Sequence, residues 1–302
     1  MSQLFRTEHD STGPVEVPAD ALYGAQTQRA VANFPISRLR FGRPFLRALG
    51  MVKSAAARAN GQLGGLPEAT AAAIAQAAEE VADGLHDSQF VVDVFQTGSG
   101  TSTNMNANEV IAARASVIAG RPVHPNDHVN RSQSSNDVFP TALHIAACET
   151  AHQLLLPAMD ALHQALEDKR RQFWGVLKIG RTHLQDAVPM RLGQEFGGYA
   201  HQIVLAKARV AKAWEDLHEL PLGGTAIGTG LNAPPEFART AIAHIAHRTG
   251  LPFHEAQDHF EAQASRDGIA FVSAALKNYA LALIKIANDI RWLGSGPRCG
   301  LG

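Results

Sequence analysis

The sequence of 302 residues has little charge, few aromatic side chains and almost no cysteine. Charged residues make up 18% of it and the formal net charge is −1, which argues against a nucleic-acid partner, because nucleic-acid binders usually carry a basic excess. Two cysteines, Cys148 and Cys299, are too few for a disulfide framework and indicate a reducing compartment. We find no signal peptide and no apolar run of the roughly 20 residues that a membrane span needs. We therefore expect a soluble, cytoplasmic protein with no membrane partner.

Aromatic residues account for only 6% of the chain, so the core must come from small aliphatic side chains, which suit close-packed helices. The length predicts about two domains. We place a mixed helical N-terminal domain at residues 1–133 and a domain of long bundle helices at residues 134–302. Alanine-rich stretches predict three helices in the first domain, at residues 43–60, 67–84 and 105–119.

Long apolar seams distinguish the second half of the chain. Residues 192–217 and 269–293 repeat apolar side chains at alternating steps of three and four, and residues 148–166 nearly do so, with a kink expected at Pro157. A mean step of 3.5 is typical of helices that cross at about 20° in a bundle. Three such helices cover one another poorly. We therefore expect partner helices from identical subunits, and a closed monomeric bundle is the alternative.

Four polar segments interrupt the apolar pattern. The first, residues 96–110, carries two turn-forming glycines and a run of hydroxyl and amide side chains just before a predicted helix. Backbone N–H groups at a helix N-terminus attract anions. The segment lacks the lysine of a phosphate-binding loop, so it favours a carboxylate held by neutral donors. The alternative is an ordinary helix cap with a flexible approach.

The second polar segment covers residues 124–140. His124 and His128 have the spacing of a metal-binding helix, but the intervening Pro125 favours a turn and no third ligand stands nearby, so we expect no metal. A run of four small polar residues, 134–137, stands where the first bundle helix begins. Capping needs only one of them. The others are free to orient a planar dianion.

The third polar segment, residues 180–195, contains a candidate residue for proton transfer. His183 lies there in a predicted loop between two seam helices, and an imidazole titrates near neutral pH. The alternative is an ordinary surface or core histidine. The fourth polar segment, residues 222–234, has four glycines and predicts a tightly turned or mobile loop.

Together these segments resemble the class II fumarases of the fumarase/aspartase superfamily. The resemblance rests on TGSGTSTNMNANEV, HPNDHVNRSQSSNDVFPTA, GRTHLQDAVPMRLGQE and LGGTAIGTGLN, and it extends over essentially the whole chain, to GPRCG with Cys299. Ser135 and His183 resemble fumarases, whereas aspartases typically have Thr and Gln there. The implied fold is mainly α and fumarase/aspartase-like, with an incomplete central bundle and no C-terminal domain.

The resemblance also implies site residues. His183 would be the proton-relay histidine, acting with a bound water, and Thr182 would join the site from a neighbouring subunit of a homotetramer with shared active sites. The residues implied to bind substrate carboxylates are Ser99, Gly100, Thr101, Ser134, Ser135 and Asn136. Those implied to form a secondary anion site are Arg121, His124, Asn126 and Asp127.

The implied reaction is the reversible trans hydration of fumarate to (S)-malate, a step of the tricarboxylic acid cycle, by a hydro-lyase without metal or organic cofactor. In the dehydration direction a base removes the C3 proton, and fixed donors stabilise the charge that develops on the adjoining carboxylate. A second group must protonate the departing hydroxide.

One departure from the family pattern is large. The family's G-S-S-x-M-P-x-K-x-N loop, which carries its catalytic serine, normally follows soon after GPRCG, and the sequence stops at Gly302. We therefore expect a fragment that by itself neither forms a normal tetramer nor hydrates fumarate. Two alternatives stay open: a sibling lyase that eliminates ammonia or an amine from aspartate-like substrates, and a non-catalytic helical assembly protein.

Overall fold

The structure is a computed structural model, and it describes residues 4–10 and 12–296. The expectation that rests on Cys299 lies outside the described residues. By their internal contacts the residues form two compact units. Unit 1 comprises residues 1–149 and 218–265, and unit 2 comprises residues 150–217 and 266–302. The domain boundary expected between residues 133 and 134 stays a prediction.

Unit 1 is helical, with two small sheets. Its helices are α1 (Ala25–Asn33), α2 (Arg43–Gln62), α3 (Glu68–Ala82), α4 (Thr101–Ala119), α5 (Ser135–Thr150, which ends one residue into unit 2), α8 (Phe237–Thr249) and α9 (His259–Ala264). Strands β1 (Phe5–Asp10) and β2 (Gly13–Pro18) form an antiparallel hairpin, and β5 (Glu219–Leu220) pairs in parallel with β6 (His254–Glu255).

The centre of unit 1 is α2, which packs against α3 and α8. Small residues allow the close approach, because a Cβ at Gly50 would overlap the backbone of α3 at Ala78 and Ala82. The three predicted N-terminal helices are confirmed as α2, α3 and α4. Helix α4 ends at Gly120 in the left-handed conformation as predicted, but it begins at Thr101, four residues earlier than predicted. The hydroxyl run of the first polar segment therefore forms the first turn of the helix and does not precede it.

Up to residue 296, where the description ends, unit 2 consists of long helices and one hairpin. Its helices are α6 (Leu156–Gln172), α7 (Leu192–Glu215) and α10 (Asp267–Leu293). Helix α7 packs on both α6 and α10. The kink expected at Pro157 stays a prediction; a π-helical turn, Ala151–Leu155, precedes this proline and leads directly into α6. The mainly α fold class is confirmed.

The predicted loop of the third polar segment is instead an antiparallel hairpin of β3 (Leu177–Thr182) and β4 (Gln185–Arg191). The loop prediction was wrong because glycine and proline within residues 180–189 concealed two short strands. His183 and Leu184 form the turn with φ of 52° and 62°. Positive φ at both central residues matches the twist of a two-residue hairpin turn.

One expectation from hydropathy also needs correction. Helix α10 is long and apolar enough to cross a membrane by length and composition alone. We expected no such run, because Lys277, Asn278 and Lys285 interrupt the apolar residues of this helix, although its mean hydropathy stays high. Bundle helices meet the same criterion, and α10 has the 3.5-residue seam of a bundle helix, with Val272, Tyr279 and Ile286 buried along it.

Candidate active site

Gly100 fixes the position of the first polar segment at the start of α4. It is the N-cap of α4 with φ of 71°, and a Cβ there would overlap the ring of Phe139. Only glycine meets both requirements, because other residues are strained in the left-handed region. The turn brings Ser99 Oγ within 2.8 Å of Thr101 Oγ1. Two hydroxyls therefore stand side by side at a helix N-terminus.

The first and second polar segments meet in the folded chain. Thr101 Oγ1 lies 3.0 Å from Ser135 Oγ, across 34 positions of sequence. Ser134 Oγ accepts a hydrogen bond from the Asn136 backbone N–H at 3.2 Å. Six of the predicted substrate-binding residues thus lie at the adjoining N-termini of α4 and α5.

The fourth polar segment joins the same place. The Asn136 side-chain amide donates to the Ala226 carbonyl at 2.8 Å. The predicted tight turning of this segment is confirmed, since Gly223, Gly228 and Gly230 all have positive φ. A cleft of about 610 Å³ opens between these segments. It is lined by Ser134 and Ser135 together with Asn104, Met105, Asn126, Asp127, Asn130, Arg131, Ser132, Gln133, Thr225, Ala226, Leu231 and Asn232.

Neutral hydrogen-bonding groups dominate this cleft. Among the described lining residues only Asp127 and Arg131 are charged. Asn104 Oδ1 and Thr225 Oγ1 are buried atoms with no hydrogen-bond partner in the part of the chain that the structure describes. A buried polar atom without a partner is costly unless water or a ligand satisfies it. The cleft therefore offers polar atoms to a small polar ligand.

Asn104 is one of the donors that the sequence marks in the first polar segment, but sequence reasoning did not single out Asn130, Gln133 or Thr225. These three stand in segments already marked as polar, so their composition was the available signal. Their direction into a cleft depends on the packing of α2, α4 and the 222–234 loop, which no local pattern reveals.

Three residues of the predicted secondary anion site come together in a π-helical turn, Pro125–Val129, which confirms the turn predicted at Pro125. His124 Nδ1 accepts from the backbone N–H groups of Asn126 and Asp127 at 3.3 and 3.1 Å. It also lies 3.3 Å from Asp127 Oδ2. Arg121, by contrast, follows the C-terminal end of α4 and donates to Thr70 Oγ1 of α3.

His183 and Thr182 belong to unit 2, at the tip of the β3–β4 hairpin, and both are exposed. His183 lines a second cleft of about 450 Å³, together with Lys178 and Glu195, whose Nζ and Oε2 atoms are 2.6 Å apart. An exposed imidazole at a hairpin tip is accessible to substrate and to water, as proton transfer requires.

No grouping of three or more His, Cys, Asp or Glu side chains that could hold a metal ion occurs within residues 4–10 and 12–296. His124 and His128 contact each other through the backbone, since the His124 N–H donates to His128 Nδ1 at 2.9 Å.

Known proteins share both the sequence and this architecture. The family model described as Lyase matches residues 13–302, and the chain belongs to this lyase family, in the fumarase/aspartase superfamily. Curated class II fumarate hydratases are close relatives. The one from Methylorubrum extorquens is 55% identical over 98% of this chain and 64% of its own length, and the one from Halobacterium salinarum is 57% identical over 100% and 65%.

Solved structures agree. The class II fumarase of Schistosoma mansoni has a TM-score of 0.95 at 39% identity, over 99% of this chain and 67% of its own. The fumarate lyase:delta crystallin of Brucella melitensis, bound to cobalt, has a TM-score of 0.94 at 47% identity, over 99% of this chain and 66% of its own. The fumarase/aspartase-like fold is confirmed. The chain spans about two thirds of the length of the curated relatives it matches.

Proposed function

We propose that the protein carrying these residues is a hydro-lyase that reversibly hydrates fumarate to (S)-malate in the tricarboxylic acid cycle, in the cytoplasm. Support comes from the class II fumarate hydratase relatives at 54–57% identity. It also comes from one observation within the fold: the 3.0 Å contact between Thr101 Oγ1 and Ser135 Oγ, which joins two hydroxyl-rich helix N-termini.

That contact assembles neutral donors for a dianion. We assign carboxylate binding to Ser99, Gly100, Thr101, Ser134, Ser135 and Asn136, which present hydroxyl, amide and backbone N–H groups. Helix N-termini favour negative charge, and neutral donors keep their protons throughout the reaction. Donors that are already in place stabilise the charge that develops on the carboxylate after C3 deprotonation more than they stabilise the ground state.

We assign the proton relay to His183, with Thr182 beside it as a further carboxylate ligand. The exposed hairpin tip leaves the imidazole open to a water molecule that carries the hydrogen ion. A histidine takes up and releases protons near neutral pH, as the reversible reaction requires. His124, Asn126 and Asp127, with Arg121, are proposed as the secondary anion site.

We further propose a homotetramer, in which the hairpin of one subunit completes the cleft of another. Unit 2 supports this by exposing large apolar side chains on its long helices, including Val204, Leu205, Leu281 and Ile284. Large apolar side chains exposed on helices are typical of subunit interfaces.

The test is steady-state hydration, followed by the loss of fumarate's ultraviolet absorbance, in the protein that carries these residues. Ser135→Ala should raise KM and lower kcat/KM about 10²-fold, because one donor to the developing charge is lost. His183→Asn should lower kcat with little change in KM. Turnover of aspartate in place of malate would replace this proposal with that of an ammonia lyase. For the 302 residues by themselves, lack of turnover and of normal tetramers stays a prediction.

A further inference from the structure

A lysine is completely buried beneath the cleft. Lys53 lies in the middle of α2 with no exposed surface. Its Nζ donates to Asn130 Oδ1 and to Gln133 Oε1, both at 3.0 Å. These two amides line the cleft and belong to the turn that leads into Ser134. Lys53 thus fixes the turn at residues 130–133, which comes just before the polar residues Ser134, Ser135 and Asn136, here called the Ser134–Asn136 strip.

A buried carboxylate lies at the other end of that strip. Asp137 in the first turn of α5 accepts three backbone hydrogen bonds. One oxygen accepts from the Ser134 N–H at 2.9 Å, and the other accepts from the N–H groups of Gly223 and Thr225 at 3.0 and 2.9 Å. Asp137 therefore joins the start of α5 to the 222–234 loop.

The loop needs such a tie, because its backbone is strained at the attachment point. Thr225 has φ of 57°, a conformation that a β-branched residue rarely adopts. Strain of this kind persists only where surrounding interactions hold it, and it concentrates at functional sites. Besides the bond to Asp137, the Thr225 carbonyl accepts from the Gln263 side chain at 2.6 Å.

The two buried groups also interact through their charges. Burial lowers the pKa of Lys53 to about 7, and the negative charge of Asp137 opposes that shift. Burial raises the pKa of Asp137 to about 6, and its three backbone hydrogen bonds and the charge of Lys53 oppose that shift. A buried charge is costly unless it is paired, so each group makes the other tolerable at neutral pH.

We propose that Lys53 and Asp137 are positioning residues that form a clamp beneath the cleft. Lys53 fixes the turn at Asn130 and Gln133, which forms one wall of the cleft. Asp137 fixes the loop at Gly223 and Thr225, which forms the other wall. Together the two residues set the distance between these walls, which the Ser134–Asn136 strip connects. The link to substrate binding rests on the proposed function, whereas the clamp itself does not.

A matched pair elsewhere on the same two helices provides the control. Arg47 of α2 forms an ion pair with the buried Glu149 of α5, with Nε and Oε2 3.1 Å apart. Neither residue lines the 610 Å³ cleft. Replacing Arg47 or Glu149 therefore removes an ion pair between the same two helices without altering the wall of the cleft.

The first experiment measures hydrogen exchange by mass spectrometry in peptides that cover residues 222–230, in the full protein. Asp137→Asn should speed exchange of the Gly223 and Thr225 amides about tenfold or more, since they lose hydrogen bonds to a charged acceptor. Glu149→Gln should leave these amides unchanged. Unchanged exchange in Asp137→Asn, or an equal increase in Glu149→Gln, would overturn the clamp.

The second experiment compares Lys53→Met with Arg47→Met. Both should lower the midpoint of thermal unfolding, but only Lys53→Met should raise KM for fumarate, by about tenfold to hundredfold, because a displaced wall misplaces the substrate. Equal KM values in the two variants would overturn the positioning role.

A double variant keeps the proposal testable should Lys53→Met fold poorly. Lys53→Met with Asp137→Asn buries no unpaired charge, so its unfolding midpoint should exceed that of either single variant. Its KM should nevertheless stay raised, and a KM restored to that of the unaltered protein would overturn the clamp. Absence of fumarate turnover in the unaltered protein would reject only the proposed function, because the exchange measurement decides the clamp without it.

Discussion

Helices α2 and α10 show how differently the two units use their residues. In α2, 14 of 20 residues are buried, among them Lys53 and Asn60. In α10, four of 27 are buried. Both helices are rich in alanine and leucine, so composition does not separate them. Unit 1 surrounds its central helix with its own chain, whereas unit 2 leaves most of its longest helix uncovered.

The comparison explains where polar chemistry can be built. Fixing buried side chains such as Lys53 and Asp137 requires partners from several segments, and unit 1 supplies these from residues 130–134 and from the 222–234 loop. Unit 2 carries His183 on an exposed hairpin tip and exposes large apolar side chains on its long helices. Such a surface is what a subunit interface needs.

The largest expected effect tests the packing of unit 1 at Gly100. Gly100→Ala forces a Cβ into the Phe139 ring at positive φ, and we expect a loss of about 2–4 kcal/mol in unfolding free energy from overpacking and backbone strain. Urea unfolding measures it. Gly98→Ala is the control, because a Cβ at Gly98 meets nothing within 4 Å. Similar losses in the two variants would show that the close approach to Phe139 is unimportant.

The second prediction compares one exposed leucine from each unit. Leu281 of α10 is 55% exposed and Leu85 in unit 1 is 70% exposed. Leu281→Asp should shift the assembled protein toward smaller species in sedimentation velocity, because burying a carboxylate in an apolar interface is costly. Leu85→Asp should leave the assembly intact. Dissociation by Leu85→Asp alone would reverse the roles assigned to the two units.

The third prediction concerns pH and the buried lysine of unit 1. Because burial lowers the pKa of Lys53 from 10.5 to about 7, the unfolded chain binds more protons than the folded one between these values. Stability contributed by Lys53 therefore rises with pH from 7 to 10.5, by up to about 1.4 kcal/mol per pH unit. Lys53→Met should lack this rise in urea unfolding at a series of pH values. Parallel pH curves for the two proteins would contradict it.

Asp137 should show the opposite slope. Its pKa is raised from 3.8 to about 6, so the folded state binds more protons in that window and stability falls as pH rises through it. Asp137→Asn should flatten this part of the curve.

The smallest effect is expected at the edge of unit 1. Asp10 accepts two hydrogen bonds from Arg29, at 2.8 and 3.1 Å, and these lower the pKa of the carboxyl well below 3.8. The resulting stability is present above pH 3.8 and is lost as the pH falls below it. Asp10→Asn should therefore lower the melting midpoint slightly at pH 7 and by less at pH 2. An equal reduction at both pH values would assign the effect to something other than the ion pair.

Local patterns predicted much of this architecture. The seams of α7 and α10 were readable because side chains three and four positions apart share a helix face. The end of α4 was readable because Gly120 adopts the left-handed conformation that stops a helix. The β3–β4 hairpin was missed, because its turn uses His183 and Leu184 where glycine or asparagine would have been the signal.

For the candidate site, too, the sequence predicted some features and only the structure revealed others. Hydroxyl-rich composition marked Thr101 and Ser135, but nothing in the sequence predicted that their oxygens lie 3.0 Å apart. Asp137 was one of four equivalent candidates for a helix cap. Only the packing of α5 against the 222–234 loop shows that it also accepts hydrogen bonds from Gly223 and Thr225.

The amino-acid order alone determined which segments are helical, which are polar and which family of lyases they resemble, since these depend on residues close together along the chain. Tertiary structure alone decided that a buried lysine of α2 donates to the amides of Asn130 and Gln133, and that the hydroxyls of two helices meet. Contacts between distant residues depend on how whole elements pack, and the free energy of that packing is shared among many side chains and carried by no single motif.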